Sequence, residues 1–190
     1  MNVGLFFGSF NPFHLGHKVI SSHLIEFTDL EKIMFVVSPQ NPLKNKNSLL
    51  DQNHRLQIIT SEIEDTPEFM VSNIEFDMPI PSYTIDTLVR IKERYKKDTF
   101  SLIMGADNIA NFHKWKNYKN IIDNHMIYVY PRNNINVEFK HENIINVQGV
   151  PNLEISASFI RKSIKSGKNV AYLMPEKAWK YIDEMNFYKK

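Results

Sequence analysis

His14 and His17 stand three residues apart at the end of Gly8-Ser9-Phe10-Asn11-Pro12-Phe13-His14-Leu15-Gly16-His17, directly after the apolar run 3–7. An apolar run, a turn and then an amphipathic segment is the order in which a parallel α/β sheet builds an anion site. The first N–H groups of a helix have no partner within it, and the helix dipole adds positive potential there. Phosphate is the guest this suits. Two imidazoles at i and i+3 in a first helical turn share a face and can address one ligand together. Gly8 permits close approach of the backbone to that ligand, and Gly16 removes a side chain from between the imidazoles. The pair could also be half of a metal site, but the chain has no cysteine and no third ligand at a completing spacing. Neither a Gly-x-Gly-x-x-Gly fingerprint nor a Walker-A Gly-Lys-Ser/Thr is present.

These residues need a scaffold, and the hydrophobic pattern predicts one. The stretch 3–7 reads as a buried strand; Leu15, Val19, Leu24 and Phe27 keep a helical period to about Leu30; 33–37 repeats the buried strand. That is a βαβ unit, and ligands sit beyond the carboxyl ends of its strands, on the rim shared by the opening motif and the loop from Ser38. Downstream, the pattern predicts a helix over about 51–65 with Leu56, Ile59 and Ile63 on one face, and a strand over 69–76. A helix to about Tyr95 follows, capped by Ser82 or Thr84. Strands at 100–104, 126–130 and 144–147 follow, with a helix from Ser156 to Lys165 stopped by Gly167 and a last helix opened by Pro175. The expected fold class is α/β: one Rossmann-like, doubly wound parallel sheet in a single domain over 1–190.

Composition narrows the function. With 190 residues and 43% hydrophobic content, one core is expected. Lys+Arg 23 against Asp+Glu 21 leaves a net charge of +2, too small to imply a nucleic-acid surface. No run approaches a membrane span, and the N-terminus lacks a basic segment before its apolar run, so neither membrane nor export is expected. The absence of cysteine suits a reducing cytoplasm. Oligomeric state stays open. Other candidate groups fall at strand ends or helix starts. Asp107, after Gly105, can accept from ribose hydroxyls or cap a helix; Arg132 ends a strand near the same rim; Ser156 and Arg161 open a helix as a phosphate clamp. Phe112, Trp115 and Tyr118 are spaced three apart, which by itself reads as core.

Gly-Ser-Phe-Asn-Pro-x-His-x-Gly-His resembles the signature of the nucleotidyltransferases whose fold is shared with class I aminoacyl-tRNA synthetases. Pro81-Ser82-Tyr83-Thr84-Ile85-Asp86-Thr87, Gly105-x-Asp107 followed by Trp115, and Ile155-Ser156-Ala157-Ser158-Phe159-Ile160-Arg161 narrow the resemblance to the bacterial nicotinate-nucleotide adenylyltransferases. It implies transfer of AMP from ATP to nicotinate mononucleotide, giving nicotinate adenine dinucleotide and pyrophosphate. His14, His17, Lys44 and Arg161 would act on the phosphates. Gly8, Ser9, Phe10, Gly105, Asp107, Ser156 and Ser158 would bind ATP, and Ser82, Tyr83, Thr84, Trp115 and Arg132 the mononucleotide. Mg²⁺ would be held mainly by ATP phosphates, with no metal ligands from the protein. A helix start at Ser82–Thr84 suits an acid better than a neutral amide. Leu43, Lys116 and Ala157 depart from the pattern, where a histidine, an aromatic residue and a serine are usual. Another nucleotidyltransferase with this opening motif, such as nicotinamide-nucleotide or pantetheine-phosphate adenylyltransferase, and a nucleotide-binding regulator without catalysis are the alternatives.

Overall fold

A computed structural model describes residues 1–39, 49–132 and 139–189. Six parallel strands form one sheet: β1 (Asn2–Gly8), β2 (Lys32–Val37), β3 (Phe69–Ser72), β4 (Thr99–Gly105), β5 (Ile127–Tyr130) and β6 (Ile144–Asn146). Their spatial order is β3-β2-β1-β4-β5-β6. The chain winds outward from β1 to β3, returns to β4, and winds outward the other way, so the direction reverses between β1 and β4. A crevice opens at the carboxyl ends of such a pair.

The helices α1 (Leu15–Phe27), α2 (Gln52–Ile63), α3 (Thr84–Arg94), α4 (Ala106–Ile109), α5 (Tyr118–Asn124), α6 (Ala157–Lys165) and α7 (Glu176–Glu184) cover both faces. Strand alternation decides which face each covers. Phe6, Ile33, Phe35, Ile103 and Tyr128 pack with Leu24 of α1, Ile58 and Ile59 of α2, Ile160 of α6 and Ile182 of α7. Leu5, Met34, Val36, Leu102 and Val129 point the other way, onto Leu88 and Ile91 of α3 and Ile109, Ile121 and Ile122 around α4 and α5. The strands are apolar on both sides because both sides are buried, which is why they read as continuous runs. Among the described residues no helix is long and apolar enough to cross a membrane.

Three local expectations are corrected. Phe27 is 72% exposed and stacks on His23 at 4.4 Å, because α1 ends there and turns at Thr28 before reaching the core. β3 stops at Ser72, whose Oγ accepts from Ile74 N (3.3 Å) and starts a turn. Tyr83 caps α3 through its backbone, since the Ser82 hydroxyl is engaged by Glu75 and Thr84 is already helical. Phe112, Trp115 and Tyr118 are divided by a 3₁₀ turn at Phe112–Lys114 and a left-handed Asn117 (φ 54°). Phe112 is buried in the core, and Trp115 is half-buried against its edge (5.4 Å).

Candidate active site

The turn after β1 runs into α1 with His14 as the helix N-cap. His14 N–H donates to His17 Nδ1 (3.2 Å), so a neutral His17 carries its proton on Nε2. The two imidazoles stack at 3.8 Å, and His17 is flanked on its other side by Phe13 (5.4 Å, 18°). Packing therefore fixes both rings. Gly16 fits closely here, because a Cβ would lie 3.1 Å from His14 Cε1 and Nδ1 and press on that ring. At Gly8 a Cβ would meet the Phe10 ring at 2.9 Å, so this glycine also makes room for Phe10, whose φ of 43° folds its ring back into the core.

His14 is 6% exposed and its Nδ1 has no hydrogen-bond partner among the described residues. Burial first, and Arg132 second, lower its pKa from 6.5 to about 4. It is neutral at physiological pH. The unfolded chain would take up a proton at His14 near pH 6.5 that the folded protein refuses until about pH 4. Its contribution is fully present above pH 6.5 and declines as pH falls through that window, by about 1.4 kcal/mol per pH unit at most. Urea titrations between pH 7 and 4 should show this slope, and His14→Asn should flatten it; an unchanged slope would assign the effect to other groups.

Arg55 organises the rim from beneath. It is fully buried, at the start of α2. Its guanidinium donates to Ser9 O (2.6 Å), Ser38 O (2.8 Å), Pro39 O (2.9 Å) and Leu50 O (2.8 Å). Arg161, from the first turns of α6, donates to Asn11 O (2.6 Å) and more weakly to Ser158 Oγ (3.4 Å). Ser156 caps α6 by accepting from Phe159 N (3.2 Å).

A cleft of about 660 Å³ lies between the ends of β1 and β4. It is lined by Gly8, Ser9, Phe10, Asn11, His14, His17, Asp107, Tyr130, Arg132, Ser156, Ala157, Ser158 and Arg161. A second hollow of about 400 Å³ adjoins it through His14, His17, Tyr130, Arg132 and Ser156, and is walled by Ile20, Val150, Pro151, Leu153 and Ile155. Arg132, just past the end of β5, lines the cleft beside His14 and pairs loosely with Asp107 (3.4 Å). The other Asp107 oxygen, Oδ1, is buried without a partner among the described residues. Gly105 supports this carboxylate from below, since a Cβ there would fall 2.5 Å from Asp107 Oδ1.

Ser82, Tyr83, Thr84 and Trp115 form a separate group outside that lining. Ser82 donates to Glu75 Oε2 (2.9 Å), and the buried Thr87 donates to Glu75 Oε1 (2.8 Å). Lys116 lies over the Tyr83 ring at 4.6 Å and pairs with Asp86 at 3.0 Å, tying the Trp115 turn to the first turn of α3. The departure from an aromatic residue at 116 is thus a cation on an aromatic face. Glu75 was not singled out in the sequence; its only signal is an acid seven residues before Ser82. Lys44, with Leu43, lies outside the described residues.

The arrangement is a roomy strand-end cleft lined by imidazoles and a guanidinium, with one unpartnered carboxylate oxygen of Asp107 at the second strand end. The cytidylyltransferase-like family model matches residues 5–163. A Christiangramia forsetii protein named "Probable nicotinate-nucleotide adenylyltransferase" is 54% identical over 190 residues, covering 98% of each chain. The chain belongs to the nicotinate-nucleotide adenylyltransferase family. A Flavobacterium johnsoniae relative with the same printed name is 52% identical over 100% of both chains. The Plasmodium falciparum nicotinic acid mononucleotide adenylyltransferase complexed with NaAD has a similar structure, with a TM-score of 0.78 at 19% identity, covering 99% of this chain and 97% of that one. That likeness shows a common fold.

Proposed function

We propose that this protein transfers the adenylyl group of ATP to the phosphate of nicotinate mononucleotide, releasing pyrophosphate. The observation that carries the reading is the fixed His14–His17 pair on the first turn of α1, in one cleft with Arg161 and the Ser156 cap. A mononucleotide phosphate oxygen attacks the α-phosphorus of ATP, the new P–O bond forms, and the bond to the β-phosphate breaks with its electron pair leaving on pyrophosphate. The attacking oxygen is already ionised at neutral pH, so no base has to be supplied. What remains is alignment and charge stabilisation.

In this reading the Ser9–Phe10 turn and His17 hold the α-phosphate, and Arg161, Ser158 and the α6 start receive the leaving pyrophosphate, with Lys44 as a further cation. The hollow beside Ile20 and Leu153, where aliphatic walls stand among polar side chains, suits a flat base that also carries polar edges, and Asp107 Oδ1 suits a ribose hydroxyl. The donors lining the cleft are mostly neutral or cationic, and they address phosphate oxygens rather than a hard cation. Mg²⁺ bound through the nucleotide's phosphate oxygens and water would supply charge neutralisation there. We assign the reaction to the cytoplasm, in keeping with a chain without cysteine.

The test is pyrophosphate release from MgATP with nicotinate mononucleotide, nicotinamide mononucleotide or phosphopantetheine in competition. Preference for the acid supports the reading, and preference for either rival overturns the acceptor assigned. Trp115→Ala should raise the KM for the mononucleotide by about tenfold, the scale of losing one stacked base, and leave the KM for ATP near the parent value. Equal losses for both substrates would make Trp115 a packing residue.

A further inference from the structure

We propose that Tyr188, near the end of the chain, is a positioning residue for the phosphate-binding turn, acting through Asn11. The inference rests on the cleft's reading as the ATP site. Asn11 is 5% exposed and is held from three directions. Its main-chain oxygen accepts from Arg161 (2.6 Å), and its Oδ1 accepts from Leu50 N (3.2 Å) and from the Tyr188 hydroxyl (2.7 Å). The tyrosine reaches it across 177 positions of sequence. One residue of the turn thereby joins α6, the segment entering α2 and the tail after α7.

The tail is built to deliver that hydroxyl. Asn186 and Tyr188 both adopt left-handed backbone, at φ 54° and 65°, which folds the chain back after α7. Phe187 N donates to Ile182 O (3.0 Å), and the Phe187 ring packs on His54 of α2 (4.7 Å) and Tyr181 of α7 (5.8 Å). Phe187 thus seats the tail. Burial raises the Tyr188 pKa despite the opposing fields of Arg161 and Arg55, so the phenol stays neutral and keeps its proton to donate. A neutral phenol beside two guanidiniums also leaves their charge uncancelled. Asn11 follows Phe10, whose left-handed backbone sets the direction of the turn's amides. Freeing the Asn11 side chain loosens those amides at the point where they must meet the α-phosphate.

Tyr188→Phe retains the ring and removes only the donor. It should lower kcat/KM for ATP by about tenfold, a fraction of the loss that a 1 Å misplacement brings, with the KM for the mononucleotide and the melting temperature near parent values. Asn11→Ala removes the acceptor, so adding Tyr188→Phe to it should cause no further loss. Tyr188→Phe at parental kcat/KM for ATP, equal changes in both KM values, or multiplying losses in the double variant would each overturn the proposal while leaving the enzymatic reading intact. If the parent itself releases no pyrophosphate, the enzymatic reading fails first. ATP affinity by calorimetry then decides: about tenfold weaker binding by Tyr188→Phe supports the coupling, and equal affinity overturns it.

Discussion

His17→Ala is expected to lower turnover by about 10²- to 10³-fold, the scale of removing one preorganised donor to a transition-state charge. The expectation comes from how the ring is held. His14 N–H occupies Nδ1, so the neutral ring carries its proton on Nε2, and the flanking Phe13 and His14 rings stop the imidazole from turning away. A donor fixed in advance costs no reorganisation when negative charge builds on the α-phosphate, so its effect falls on kcat more than on ground-state affinity. His17→Gln, which can offer an N–H from a less rigid side chain, should recover part of the loss. The check is steady-state pyrophosphate release with both substrates saturating. Turnover within a few-fold of the parent would remove His17 from the transition state and leave it a packing residue among Phe6, Phe10 and Phe13.

Much of this site was legible from local pattern, because its parts follow local rules. An uninterrupted apolar strand ending in glycine announces a rim; histidines three apart at a helix start share a face; Ser156 before an apolar period announces a cap. All three describe what a short segment does with its own backbone, and the structure has them where the pattern puts them. Arg132 was legible as a rim residue but not in its company, since a strand end fixes height above the sheet and not which neighbouring strand's loop leans toward it. The cap of α3 was misjudged for a related reason. Ser82 has the right chemistry for an N-cap, but the buried Glu75 competes for its hydroxyl, and that carboxylate comes from another turn. Phe27 has the right period but lies at the last residue of α1, where the helix has already run past the sheet. Least legible were the contacts that hold the rim together. Arg55 reaches the Ser9 carbonyl across 46 positions and Tyr188 the Asn11 amide oxygen across 177, and no spacing rule encodes such partners.

Arg55→Ala should be the most destabilising single change at the rim. An arginine on the second turn-facing side of a short helix would ordinarily reach for water, yet this one is wholly enclosed, and burial pulls its pKa below the ordinary guanidinium value. It is tolerated because its donors meet four main-chain oxygens: Ser9 at the end of β1's turn, Ser38 and Pro39 after β2, and Leu50 before α2. The field of Asp51 favours the charge, but the hydrogen-bonding compensation comes from the carbonyls of three separate segments, and a planar fork of fixed donors is what can serve them at once. Truncation would leave those four oxygens in a cavity. At about 1 kcal/mol for each unsatisfied group, the lower end of that cost, stability should fall by about 4 kcal/mol. For a chain of this size the melting temperature should drop by about 8–16 °C. Arg55→Lys keeps the charge but offers one donor centre in place of the fork, so it should recover less than half of the loss. Activity should fall with stability in both variants, since Ser9 lies beside the phosphate turn and Ser38 closes the neighbouring strand end. Calorimetric melting of the three proteins checks the prediction, and an Arg55→Lys variant as stable as the parent would show that charge alone, without the guanidinium's geometry, holds the rim.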